Sequence, residues 1–332
     1  MMEACIIQGM EPFNEVYYRD CFFNSLFSVM NYFQVDISYV LSNDIFYYEC
    51  LKDSRNLQIK CHEIKEVNEI LFEQGIRVES KINSDDIVGE IKNGINQNWP
   101  VILAVDSFYC PNILDCYKKS HNTHTILIEG YDDKENLFSI VDLEILNNLT
   151  YKKFKVTYEQ LLAAHSAELI IENQKNGENT IFQYCKTDKR CQTSPIRFIF
   201  LRNLKSNKRE LLAGMDAFEL FIKHFEGLDH SEQIQSSKKI LDSFVEIFNC
   251  KKIEYYRFHR IFGKEHAFTI VFQKLQDIWK QIMSNYGLFH YSAKKQESYT
   301  ANVYALLREA YGLEKNLILE VLECREEDSN GY

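Results

Sequence analysis

The run Asp20-Cys21-Phe22-Phe23-Asn24-Ser25-Leu26-Phe27-Ser28-Val29-Met30-Asn31-Tyr32-Phe33 places apolar residues at 22/23, 26/27, 29/30 and 33 and polar residues at 24, 25, 28 and 31. That spacing predicts an amphipathic helix. Asp20 is a competent N-cap, so Cys21 falls in the first turn. Unpaired N–H groups and the positive end of the helix dipole stabilise a thiolate there and offer donors to a developing oxyanion. A cysteine so placed is a candidate nucleophile; the plain alternative is a small buried hydrophobe.

Moving outward, Trp99-Pro100-Val101-Ile102-Leu103-Ala104-Val105-Asp106 reads as a buried strand opening at a proline. Next come His121-Asn122-Thr123-His124-Thr125-Ile126-Leu127-Ile128-Glu129-Gly130-Tyr131, a polar turn from Asp132 to Asn136, and Leu137-Phe138-Ser139-Ile140-Val141-Asp142. This is the pattern of a β-hairpin. A turn centred on Asp133 sets His124 and Asp142 directly cross-strand on one face, with Cβ atoms about 5 Å apart. A register one residue longer would move Asp142 to the other face, and Glu144 is the nearest substitute. Cys21, His124 and Asp142 then supply a thiol, an imidazole to hold or take its proton, and a carboxylate to orient the imidazole. His121 is an alternative base that sits before the strand. Cys110 and Cys116 with His121 and His124 could be imagined as a zinc site, but their spacing is not that of structural fingers, and no metal is expected.

Elsewhere, Tyr39 to Cys61 reads as aromatic and irregular. Ile64 to Gln74 reads as a helix closed by Gly75, and Asp85 to Ile95 as another. The loop from Ser107 to Asn122 and the segment Glu172 to Ser194 are polar, and Pro195 to Leu201 resembles one more strand. From Leu204 the pattern turns helical, with stripes such as Met215/Phe218/Phe221/Ile222/Phe225 and Leu275/Ile278/Trp279/Ile282/Met283/Tyr286 that read as packing core.

The 332 residues allow two domains, and 45% hydrophobic composition with only 4 Pro excludes a largely disordered chain. Met1-Met2-Glu3-Ala4 lacks the basic start and apolar run of a signal peptide, and 10 scattered cysteines do not make a disulfide scaffold. The expected location is therefore cytoplasmic and reducing. No apolar run approaches the ~20 residues of a membrane span. A net charge of −10 argues against nucleic acid as the main partner. Residues 186–209 depart from it, with Lys186, Lys189, Arg190, Arg197, Arg202, Lys205, Lys208 and Arg209 against Asp188 alone. That run is either a solvated connection or a basic docking surface.

The helix-opening Cys21, the strand after Trp99-Pro100, His124-Thr125-Ile126-Leu127-Ile128-Glu129-Gly130-Tyr131-Asp132 and Val141-Asp142 together resemble the papain-like fold. Within it the chain is similar to the family typified by the N-terminal part of butirosin biosynthesis protein H, over about residues 10–145. The amide-forming enzymes of closthioamide-type assembly lines are also similar. The resemblance implies an α+β papain-like catalytic domain over 1–203 and a helical domain over 204–332. It implies a cysteine acyltransferase that takes an acyl or peptidyl group from the phosphopantetheine thioester of a carrier protein and gives it to an amine, forming an amide in nonribosomal peptide-like natural product biosynthesis. The phosphopantetheine arm belongs to the carrier, and no cofactor of the chain's own is implied. Cys21 would be the nucleophile, His124 base and then acid, and Asp142 the orienting carboxylate.

The papain-like pattern usually has a glutamine six positions before the cysteine as an oxyanion donor, and this chain has Glu15 there. An ionised carboxylate cannot donate, so Asn14 is the candidate replacement beside the Cys21 N–H. An activated thioester needs less of that help than an amide, which favours acyl transfer over a second reading as a peptidase or amidase. A third reading is a non-catalytic binding module on the same fold. An acidic carrier would dock on a basic surface, for which Lys205, Lys208 and Arg209 are the candidates. The sequence leaves homo-oligomerisation open.

Overall fold

The computed structural model describes residues 3–51, 56–145, 150–187, 194–292 and 297–324. Along the chain run β1 (Ala4–Ile6), α1 (Cys21–Tyr32), α2 (Ser38–Leu41), β2 (Asp44–Leu51), β3 (Asn56–Glu63), α3 (Val67–Glu73), β4 (Ile76–Lys81), α4 (Ile87–Asn96) and β5 (Val101–Asp106). After them come β6 (Thr123–Asp132), β7 (Leu137–Ile145), β8 (Thr150–Thr157), α5 (Tyr158–His165), α6 (Glu168–Lys175) and β9 (Ile181–Lys186). The remainder is helical: α7 (Ile196–Ser206), α8 (Lys208–Glu226), α9 (His230–Phe262), α10 (Ala267–Tyr291) and α11 (Glu297–Glu323). The fold is mixed α+β with a helical C-terminal region, and none of the described helices is long and apolar enough to cross a membrane.

Two compact units divide the chain, 1–37 with 67–193 and 38–66 with 194–332. The division corrects a single cut at 203 in two ways. Residues 38–66 belong with the helices, because the expected irregular segment forms the β2–β3 hairpin packed on α8. A Cβ on Gly214 of α8 would lie 2.8 Å from the Tyr48 backbone nitrogen, so only glycine allows that approach. The boundary also comes earlier, since the strand expected at 195–201 is the start of α7. Pro195, with φ −57°, opens it, and Ile199, Phe200, Asn203 and Leu204 are buried at helical spacing. A short apolar run does not by itself separate strand from helix.

The first unit is built on a seven-stranded antiparallel sheet in the order β4-β9-β5-β6-β7-β8, with β1 also paired to β6. Every residue of β5 is buried, as a continuous apolar strand covered on both faces must be. Helix α1 packs against β6 and β5. Its polar positions do not face water as amphipathic spacing predicts: Asn24, Ser25 and Ser28 are all buried. The incoming segment covers them, with the Tyr18 N–H donating to Asn24 Oδ1 at 2.9 Å and the Phe13 N–H to Ser28 Oγ at 2.9 Å. The polar stripe therefore fixes the chain that leads into Cys21.

The β6–β7 register differs from expectation, and the difference decides which face carries each side chain. Asp132 Oδ1 accepts from the Lys134 and Glu135 N–H groups, and Asn136 takes the left-handed conformation at φ 54°, so the turn spans 133–136. The ladder starts at Asp132↔Leu137 and continues to Gly130↔Ser139. A bulge at Glu129 then shifts it to Ile128↔Ile140 and Leu127↔Val141. Without the extra residue, His124 and Asp142 would lie on opposite faces. With it they share a face, offset diagonally rather than directly opposed.

Candidate active site

Cys21 is the first residue of α1 and is half-buried. Asp20 Oδ1 accepts from the N–H groups of Phe22 at 2.9 Å and Phe23 at 3.3 Å, capping the helix that Cys21 opens. Just before the cap, Arg19 holds φ 56°, a left-handed conformation that a non-glycine residue adopts at a cost of about 1–3 kcal/mol. Its guanidinium sits 4.6 Å from the centre of the Phe23 ring.

His124, near the start of β6 and opposite Val105 of β5, is almost fully buried. Its Nε2 meets Asp142 Oδ1 at 2.5 Å. Nδ1 is thus the ring nitrogen left free of Asp142, and Cys21 is among the groups that act on the imidazole. Asp142 is wholly buried and anchored from two more sides: its Oδ1 accepts the Leu143 N–H at 2.7 Å, and its Oδ2 accepts from Asn112 Nδ2 at 2.7 Å. The carboxylate is fixed before it fixes the ring.

The electrostatics follow from this chain of contacts. Burial pulls the His124 imidazole down, but the Asp142 and Cys21 charges and their hydrogen bonds hold it well above the usual histidine range. Burial pushes the Cys21 thiol up, yet His124, by charge and hydrogen bond, and then Thr125 bring it below its ordinary value, against a small opposing effect of Asp20. The arrangement favours a thiolate–imidazolium pair, the reactive form of a nucleophilic cysteine.

Other expected residues fall elsewhere. His121, the alternative base, places Nδ1 2.6 Å from Asp106 Oδ2 and stacks on Phe108 with centroids 4.2 Å apart. Glu144 pairs with Lys152 at 2.7 Å and leaves His124 to Asp142. The four residues of the imagined zinc site do not converge; Cys110 Sγ turns to the Asp106 carbonyl and Asn122 Nδ2 donates to Cys116 Sγ. Among the described residues no group of three ligating side chains forms. Asn14 needs the firmest correction. Its Nδ2 donates to the Tyr151 carbonyl at 3.0 Å and its Oδ1 accepts the Tyr151 N–H at 2.8 Å, so the amide acts as a strand partner for β8. Of the docking candidates, Lys205 is committed to the Cys324 carbonyl at the end of α11, whereas Lys208 and Arg209 are exposed. Lys189 and Arg190 lie outside the described residues.

Three neighbours of the site escaped the sequence reading. Asn112 gave no signal because it sits in a patternless loop, and Tyr151 lies near the start of β8, a strand paired with its sequence neighbour β7 whose alternation was not read. Thr125 was within the quoted motif but carries no chemistry of its own. No protein-family model matches this chain, and no curated protein matches it.

Proposed function

We propose that this chain is a papain-like cysteine acyltransferase, with Cys21 accepting an acyl or peptidyl group from a carrier protein's phosphopantetheine thioester and passing it to an amine. The observation that carries the reading is the buried His124–Asp142 pair, at 2.5 Å, together with the mutual electrostatic effect of His124 and a thiol at a helix start. The thiolate attacks the thioester carbonyl, and His124 gives its proton to the departing pantetheine sulfur. The imidazole then takes a proton from the incoming amine as the amide forms and Cys21 leaves. An antiparallel sheet presenting His and Asp beside a helix-borne Cys supports a papain-like frame. Lys208 and Arg209, exposed at the start of α8, remain the candidates for docking an acidic carrier, and a nonribosomal peptide-like assembly line is the setting in which such a donor occurs.

Intact mass spectrometry after mixing with acylated carrier proteins tests this. The expected result is a mass gain mapped to Cys21 that disappears, with release of an amide, when amine is added. Cleavage of free peptide without any carrier would instead support the peptidase reading. Indifference of binding to Cys21→Ala, with no labelling by iodoacetamide, would support a non-catalytic module.

A further inference from the structure

The ends of three helices in the second unit enclose a cavity of about 370 Å³. Phe225 and Glu226 close α8, Leu228 lies in the connection to α9, and Ala301 and Tyr304 sit in the first two turns of α11. All of them fall within residues 194–332, so the cavity is a property of that unit alone. A volume of this size suits a small organic molecule. Its walls are mixed: Phe225 and Leu228 are buried apolar side chains, whereas Glu226 is exposed and carries a charge.

Helix starts ordinarily attract anions, and α9 starts here with His230, which also lines the cavity. That start is already closed. Asp229 Oδ1 accepts the Glu232 N–H at 2.9 Å, and Glu232 Oε2 accepts the Asp229 N–H at 3.1 Å. This capping box consumes the donors an anion would need and leaves two carboxylates in their place. With Glu226 they make the local field negative. Arg308, a nearby cation, is held against Tyr304: its Nε donates to the phenol oxygen at 3.0 Å, and its guanidinium carbon lies 5.4 Å from the ring centre.

We propose that this cavity binds a small organic cation, a primary ammonium on an aromatic or aliphatic body. Glu226 accepts hydrogen bonds from the ammonium, while Phe225, Leu228 and Tyr304 cover the body and offer ring faces to the charge. Binding is non-covalent and independent of Cys21.

Titration calorimetry on the full chain, with phenethylamine as the probe, tests this. The expected result is saturable one-site binding that weakens about tenfold in Glu226→Gln. Ala301→Trp, placed at an exposed position on α11, should fill the cavity and abolish binding. Phenylacetate, which has a similar body and the opposite charge, should not bind. Melting temperatures close to wild type show that both variants fold, and Glu226→Gln alone decides the charge if Ala301→Trp does not. Cys21→Ala should bind the probe as the wild type does, so this site and the acyl-transfer reading fail separately. The proposal is overturned if a folded variant at position 226 or 301 keeps wild-type affinity, if phenylacetate binds as tightly, or if the probe never saturates at millimolar concentration. Loss of binding in Cys21→Ala would put the amine at the thiol and overturn it too.

Discussion

Two buried chains of charge lie in this protein, one in each unit, and they differ in how they end. In the helical unit, Lys251 of α9 pairs with Glu314 of α11 and, at 3.3 Å, with Glu254, which also meets Arg257 at 3.4 Å. Arg257 donates further to the carbonyls of Leu41 at 2.8 Å and of Asp44, and Tyr48 donates to the second Glu314 oxygen at 2.9 Å. Both cations and both carboxylates are buried, and all four carboxylate oxygens are matched. In the sheet unit the pair of Asp142 and His124 leads instead to Cys21, a half-buried thiol at the start of α1. Perturbed protonation marks both regions. Burial pulls the Lys251 amine down while Glu314, Tyr48 and Glu254 raise it well above the lysine range, much as His124 is held up. Strong shifts therefore do not identify a working site by themselves.

That contrast breaks most readily at Cys21. Cys21→Ala should reduce acyl transfer at least about 10⁴-fold with folding intact, measured by amide release from acylated carrier. A smaller loss would mean that the thiol is not where chemistry happens. In the closed cluster the effect belongs on stability instead. Lys251→Met strands Glu314 and Glu254 and should cost about 3–5 kcal/mol in denaturant unfolding, with much of it recovered when Glu314→Leu is added. The folded single variant should keep its Cys21 alkylation rate.

Asp142→Asn sharpens the comparison further. It keeps the shape but removes the first of the charges that raise His124, so the imidazolium is lost at lower pH and the alkaline limb of the activity profile moves down. The rate should fall about 10²-fold. In the wild type, alkylation should begin below the ordinary thiol range, because the reactive thiolate exists above a lowered Cys21 value. In His124→Ala, where burial acts with little opposition, the onset should move above that range. The smallest effect is expected at the surface. Lys208→Glu with Arg209→Glu should raise the KM for acylated carrier several-fold and flatten its salt dependence. It should also slightly stabilise α8, since cations at a helix start oppose the dipole. Unchanged loading would remove that face from the proposal.

Much of this was legible in local patterns. The Asp20 cap and the helix after it, the buried strand after Pro100, the hairpin carrying His124 and Asp142, and the long apolar stripes of α8 to α11 all follow from spacing within a few turns of chain. The β2–β3 hairpin was not legible, because its residues alternate poorly and are stabilised by helices far along the sequence. Strand β9 was hidden for a similar reason: it joins β4 and β5, neither adjacent to it in sequence.

The residue types of the candidate site and the helix that presents the thiol were set by sequence alone, since capping and periodicity are local. Their meeting was not. It depends on Glu129, whose carboxylate is buried beside Lys153 at 3.2 Å and whose extra place in β6 returns Asp142 to the face of His124. A bulge exists only where two strands are already paired, so the contact that orients the imidazole is a property of the assembled sheet. The same holds for Asn14, which local reasoning aimed at substrate and the sheet edge claimed for Tyr151.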